Sequence, residues 1–175
     1  MNNKGFTLIE LLVIIFIIGT MSTIVLVNYS ASGDKFLLER TAQKISQDIR
    51  LTQQKSLSAV DGGVDTNGYG VCFDINNNNY FVYKNNNTNY YYDTGDETIE
   101  TIELPDEIII ESIKNNLETV YSISISFVPP EPLTYIENDM IGREAFIAIT
   151  LIEDETEKRI IQVNNSGRIE IIKYE

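Results

Sequence analysis

The apolar run Leu8-Ile9-Glu10-Leu11-Leu12-Val13-Ile14-Ile15-Phe16-Ile17-Ile18 carries one carboxylate near its start, and that pairing constrains the chain more than any other feature. The apolar stretch covers residues 6–29, and a helix of about 20 such residues spans a bilayer. Residues 8–27 hold fourteen Leu, Ile, Val and Phe residues, each worth about −0.3 to −0.6 kcal/mol at the centre of a membrane helix. Their sum outweighs one charge near a helix end, where a side chain reaches the interface. Insertion is therefore expected, with Glu10 as a functional residue in need of a partner.

Three readings of this segment compete. A plain membrane anchor explains the length but not the acid. A secretory signal has a basic start, an apolar core and a small-residue cleavage site; Ser30-Ala31-Ser32 supplies such a site, but an acid inside the core argues against it. In the third reading the chain is cut before the apolar segment, between Gly5 and Phe6, and the helix stays on the mature protein.

At Lys4-Gly5-Phe6-Thr7-Leu8-Ile9-Glu10 the chain resembles the type IV pilin and type II secretion pseudopilin superfamily, whose class III signal is a short basic leader, Gly, Phe, Thr-Leu-Ile-Glu and an apolar helix. The resemblance implies that a prepilin peptidase cuts after Gly5 and methylates the amine of Phe6. It implies that Glu10 pairs with the amino terminus of a neighbouring subunit. It further implies an inner-membrane assembly platform, other pilin or pseudopilin subunits and membrane lipid as partners. The physics agrees with that role: an α-amino group, with a reference pKa of about 7.7–8.0, is mostly cationic at neutral pH. A cation and a carboxylate are each costly in hydrocarbon but attract strongly there.

Composition narrows what the remainder does. The 175 residues allow one membrane helix and a soluble domain large enough for a real core. Cys72 is the single cysteine, which excludes an intrachain disulfide and reads as a buried apolar thiol. The chain has no His, so a Ser-His or Cys-His pair is absent, as are the usual zinc-ligand clusters. No catalytic residue, metal or cofactor is assigned. A net charge of −13 argues against direct nucleic-acid binding. Most of the acids lie beyond residue 90 and read as a solvated surface.

Ser30-Ala31-Ser32-Gly33 reads as an interruption after the apolar helix, with Asp34 placed to cap a second stretch. Over residues 34–59 the pattern is amphipathic: Leu38, Ala42, Ile45, Ile49 and Thr52 recur at spacings of four and three. Together the two stretches make an extended helix of about 80 Å at 1.5 Å per residue. Beyond Gly62-Gly63 the period becomes two. Strands are predicted at 69–75, 80–84, 98–104, 107–113, 120–128, 145–153, 158–163 and 168–174. Gly167 supplies the positive φ of the last turn. Consecutive short strands imply a mainly antiparallel sheet, with the amphipathic helix as its cover.

Two polar runs need weighing. Asp74-Ile75-Asn76-Asn77-Asn78-Asn79 begins like an EF-hand loop but lacks the Gly at the sixth position and the Glu at the twelfth, so a hairpin turn is the better reading. The Asn-rich run from Asn85 to Asn89, with Tyr90-Tyr91-Tyr92, reads as an exposed loop and strand edge. Asn28, Asn86 and Asn164 begin N-x-S/T triplets.

The β half is similar, at Gly68-Tyr69-Gly70-Val71-Cys72-Phe73 and Tyr80-Phe81-Val82-Tyr83, to the first hairpin of the pseudopilin H and minor pilin group. Arg159-Ile160-Ile161-Gln162-Val163 with Ser166-Gly167-Arg168-Ile169 is similar to its closing hairpin. The chain departs from major pilins in lacking a C-terminal cysteine pair and in having no proline before Pro105. The expectation is an α+β protein with leader 1–5, transmembrane and assembly helix 6–29, amphipathic helix 30–61 and antiparallel β domain 62–175. It would be a bacterial cytoplasmic-membrane subunit with its soluble domain outside the cytoplasm, assembled into a type IV pilus or type II secretion pseudopilus. The alternative is a membrane-anchored β domain that binds a ligand such as a glycan or DNA.

Overall fold

The structure, a computed structural model, describes residues 7–58, 67–116, 118–129, 133–137 and 142–174, with the backbone alone for 24–32 and 174. The chain forms two compact units, Met1–Leu37 and Leu38–Glu175. Helix α1 is Leu8–Ser58. The small residues 30–33 are helical, so the expected interruption is absent and Asp34 is not a cap. Gly33 has nothing within 4 Å of where a Cβ would stand, so no close approach calls for its lack of a side chain.

The second unit is α+β, with the α1 residues from 38 onward packed on antiparallel sheets. Ten strands follow: β1 Tyr69–Asp74, β2 Asn79–Lys84, β3 Glu97–Glu103, β4 Ile108–Asn115, β5 Glu118–Val120, β6 Ser122–Val128, β7 Leu133–Ile136, β8 Glu144–Leu151, β9 Lys158–Asn164 and β10 Ile169–Tyr174. They make two five-stranded sheets, ordered β3-β2-β1-β6-β7 and β10-β9-β8-β4-β5, where sequence reasoning expected one. Every pairing is antiparallel. The expected strand over 120–128 is divided at Tyr121, because β5 pairs with β4 in one sheet and β6 with β1 in the other.

The stripe at four-three spacing is the buried face of α1: Leu38, Ala42 and Ile49 are fully buried, as nearly are Ile45 and Thr52. Polar bonds from this face reach both sheets. Ser56 donates to the Phe127 carbonyl at 2.5 Å and the Tyr80 hydroxyl to Asp48 Oδ2 at 2.5 Å, both on the first sheet. Arg50 donates to the Ile169 carbonyl at 3.2 Å, and Arg159 Nε donates to Glu39 Oε2 at 2.9 Å, both on the second. The Arg159 guanidinium beside Glu39 holds that carboxyl below its ordinary range. One helix thus closes the apolar space over two sheets.

The Asn- and Tyr-rich segment is a loop, exposed as expected at Asn86, Thr88 and Tyr91, but its other residues are half-buried or buried. Asn85 is buried, and Tyr90 stacks on Tyr135 with ring centres 3.9 Å apart. Tyr92 meets Phe81 and Tyr83 edge-on at 4.6 and 5.3 Å. The Tyr92 amide donates to Ser124 Oγ, and Ser126 Oγ donates to the Tyr90 carbonyl. The segment covers a face of the first sheet. Asn87 and Asn89 donate to Asp93, and the Asn87 and Asn89 backbone amides donate to the side-chain oxygens of Asn85 and Asn87, while Asn89 Oδ1 is buried without a partner among the described residues. Gly70 lies beneath this cover, where a Cβ would overlap the Tyr83 ring.

Residues 74–79 form the β1–β2 turn. Asp74 accepts from the Asn76 amide at 2.9 Å and from Asn77 Nδ2 at 2.6 Å. Asn78, at φ 49°, reaches across to β4, donating to the Ile108 carbonyl and accepting from the Ile110 amide, each at 2.8 Å. In the last hairpin Gly167 has the expected positive φ, 76°.

Candidate functional site: the N-terminal helix and Glu10

The first unit contributes the start of α1. Thr7 is its N-cap: its carbonyl accepts the Leu11 amide at 3.2 Å, and its Oγ1 accepts the Glu10 amide at 3.3 Å. Thr7 and Glu10 therefore stand at the two ends of a Thr-x-x-Glu capping box, in which the acid can return a bond to the cap residue's amide. Sequence reasoning assigned Glu10 but missed Thr7, although the spacing was there to find. Glu10 also lies in the first turn, where the helix dipole favours a negative charge.

Glu10 is exposed, and no donor meets its carboxylate among the described residues. The large apolar side chains around it are exposed as well, from Leu8 at 83% to Met21 at 65%. Soluble monomers rarely leave so long an apolar surface uncovered. The hydroxyls of the same stretch are self-satisfied. Thr20 donates to the Ile17 carbonyl, Ser22 to that of Ile18 and Thr23 to that of Gly19, at 2.8–2.9 Å. Such back-bonding removes the need for water. Glu10 is left as the group whose charge wants an outside partner.

Gly5 and Phe6, the expected cleavage and methylation positions, lie outside the described residues. Among the described residues no helix is long and apolar enough to cross a membrane. The side chains described in this stretch are those of 7–23, while Ile24-Val25-Leu26-Val27 continues the apolar sequence beyond them.

The β domain holds no comparable reactive centre among the described residues, where no group of three or more Cys, Asp or Glu is placed to hold a metal ion. Cys72 is a free, buried thiol. Burial pushes its pKa up to about 12, against a weak bond from Ser124 Oγ at 3.6 Å. Since the thiolate is the nucleophile, this sulfur is inert. A water-soluble maleimide is expected to leave the native protein unlabelled and to react after unfolding in urea, as mass spectrometry would record; rapid native labelling would contradict the burial. Burial also raises the pKa of Glu137, whose Oε1 accepts the Ser124 amide at 2.6 Å, so this acid fastens the end of β7 to β6.

Residues 1–26 match the family model of the prokaryotic N-terminal methylation motif. That motif is the class III signal of type IV pilins and pseudopilins, and it supports a prepilin-type precursor. It implies processing by prepilin peptidase and assembly with other pilins. Comparison with curated proteins and with solved structures returned no match.

Proposed function

We propose that the chain is a structural subunit, a minor pilin or pseudopilin, built into a type IV pilus or a type II secretion pseudopilus. The observation that carries this reading is the N-terminal motif over residues 1–26, in which the described large apolar side chains, Leu8 to Met21, are exposed. Prepilin peptidase removes residues 1–5 by cutting between Gly5 and Phe6, and the new amine of Phe6 is methylated. The helix from Phe6 holds the subunit in the cytoplasmic membrane, with the β domain outside the cytoplasm, until the assembly platform passes it into the fibre. Glu10 then faces the amine of a neighbouring subunit's Phe6. Head-to-tail contacts of this kind are heterologous and build open fibres. The work is assembly, and no residue is assigned to catalysis.

The test is the N-terminus of the membrane-extracted protein. Intact-mass and N-terminal fragment analysis is expected to find methylated Phe6 at the start. An uncut Met1 would leave only the plain anchor, and a start at Gly33 would make the segment a secretory signal; either result overturns the reading.

A further inference from the structure

We propose that Asn86 is a glycan acceptor, taking a sugar chain on Nδ2 from a lipid-linked donor outside the cytoplasm. The inference rests on the proposed function in one respect, that the β domain lies on that side of the membrane.

Triplets of the form Asn-x-Ser or Asn-x-Thr begin at Asn28, Asn86 and Asn164. Such a triplet serves as an acceptor on a surface loop, with the amide nitrogen open to react and the hydroxyl open to be read. The fold therefore chooses among the three. Asn28 lies in the apolar stretch 6–29, where the backbone is helical. Asn164 ends β9 and is spent within the last turn. Its Oδ1 accepts the Ser166 amide at 3.1 Å, the Ser166 hydroxyl at 2.6 Å and the Arg168 amide at 3.1 Å. The hydroxyl that a transferase would read is turned onto the acceptor's own side chain.

Asn86-Asn87-Thr88 is different. Asn86 and Thr88 are exposed, while Asn87 between them is half-buried. Asn86 Nδ2 makes one bond, to the Gly95 carbonyl at 3.4 Å, which is longer than the usual N–H···O range. No bond holds the Thr88 hydroxyl among the described residues. The backbone beneath is fixed. The Asn85 amide donates to the Gly68 carbonyl at 3.0 Å, and the Asn86 amide to Asp96 Oδ1 at 3.0 Å. Asn87 Nδ2 donates to Asp93 Oδ1 at 2.9 Å. The loop thus turns Asn87 inward to its own acids and presents Asn86 and Thr88 outward in the folded chain.

In the transfer, Asn86 Nδ2 attacks C1 of the first sugar of a polyprenyl-diphosphate-linked oligosaccharide. The C1–N bond forms as the C1–O bond to the diphosphate breaks. The diphosphate leaves with that electron pair, and the amide gives one proton to a base of the transferase. A sugar chain is bulky and solvated, so the face that bears Asn86 is one that neighbouring subunits leave open.

The experiment is mass analysis of the full chain extracted from the membranes of its own host and digested with trypsin. Cuts after Lys84, Lys114, Arg159 and Arg168 place Asn86 and Asn164 in separate peptides, 85–114 and 160–168. Peptide 85–114 is expected to carry a sugar-chain mass increment, and enzymatic release of the glycan to convert Asn86 to Asp. Asn86→Gln and Thr88→Ala are each expected to lose the increment, and Asn164→Gln to keep it. The N-terminus is read from the same sample. A bare 85–114 peptide in protein that starts at methylated Phe6 overturns the acceptor and leaves the prepilin reading standing; with an uncut Met1 it overturns both. A glycan on 160–168 alone, or one on 85–114 that survives Thr88→Ala, also overturns the inference.

Discussion

Glu10→Gln protein is expected to insert, to be cleaved at Gly5 and yet to be missing from sheared fibres. Gln is the informative replacement because of the cap. A capping box accepts Glu or Gln at its third helical position, so the variant keeps whatever the side chain does for Thr7 and loses only the charge. The nearest basic residue further along the first unit is Lys35, about 37 Å away at 1.5 Å per residue, and Lys35 already has a partner. On the proposed reading the counter-charge for Glu10 comes from another chain, as the amine of a neighbour's Phe6. Breaking a buried pair by removing one member costs about 3–5 kcal/mol. The Glu10→Gln variant is therefore expected at a small fraction of the wild-type level in fibres, with N-terminal mass confirming normal processing. A Thr7→Ala variant loses the cap but keeps the charge. It should lose only about 1 kcal/mol of helix stability and still enter fibres. Equal recovery of Glu10→Gln and wild type would remove the assembly role of Glu10.

The second large effect is expected at Ile49. It is fully buried on the face of α1 that closes over both sheets, flanked by the Asp48 bond to Tyr80 and the Arg50 bond to the Ile169 carbonyl. These polar bonds pin the helix on either side of Ile49, so the backbone cannot settle into the space that a smaller side chain leaves. Ile49→Ala should then cost about 2–5 kcal/mol, the transfer energy of the lost carbons plus that of an uncollapsed cavity. The neighbouring Leu51→Ala is the control. Leu51 is more than half exposed, and its truncation should stay within about 0.5 kcal/mol. Urea unfolding of the whole chain in micelles measures both. Similar midpoints for the two variants would mean that α1 does not close the core.

The apolar run and the amphipathic stripe were legible because both are local. An apolar run and a four-three spacing each depend on residues within a turn or two of one another, whereas the Thr7 cap was missed and Asp34 was wrongly given that part. Glu10 stood out for the same local reason, as a charge out of place in its own surroundings, and its role in assembly is the proposal. The alternating strands were legible too, with bounds close to those observed. Tertiary structure decided how they were shared out. A strand pattern states which face is apolar, but the partner is chosen by distant residues. The run over 120–128 therefore looked like one strand until Tyr121 was seen to carry the chain from one sheet to the other. β7 was missed because Leu133–Ile136 is four residues long, follows Pro129-Pro130-Glu131-Pro132 and exists through its pairing with β6. The asparagine and tyrosine run was read correctly as a loop but as exposed throughout, because its polarity suggested water. In the folded chain Asn87 and Asn89 bond the loop's own Asp93, while Tyr90 and Tyr92 lie on the sheet. Polarity along a sequence counts groups that can bond water, and only the folded chain decides whether they bond each other instead.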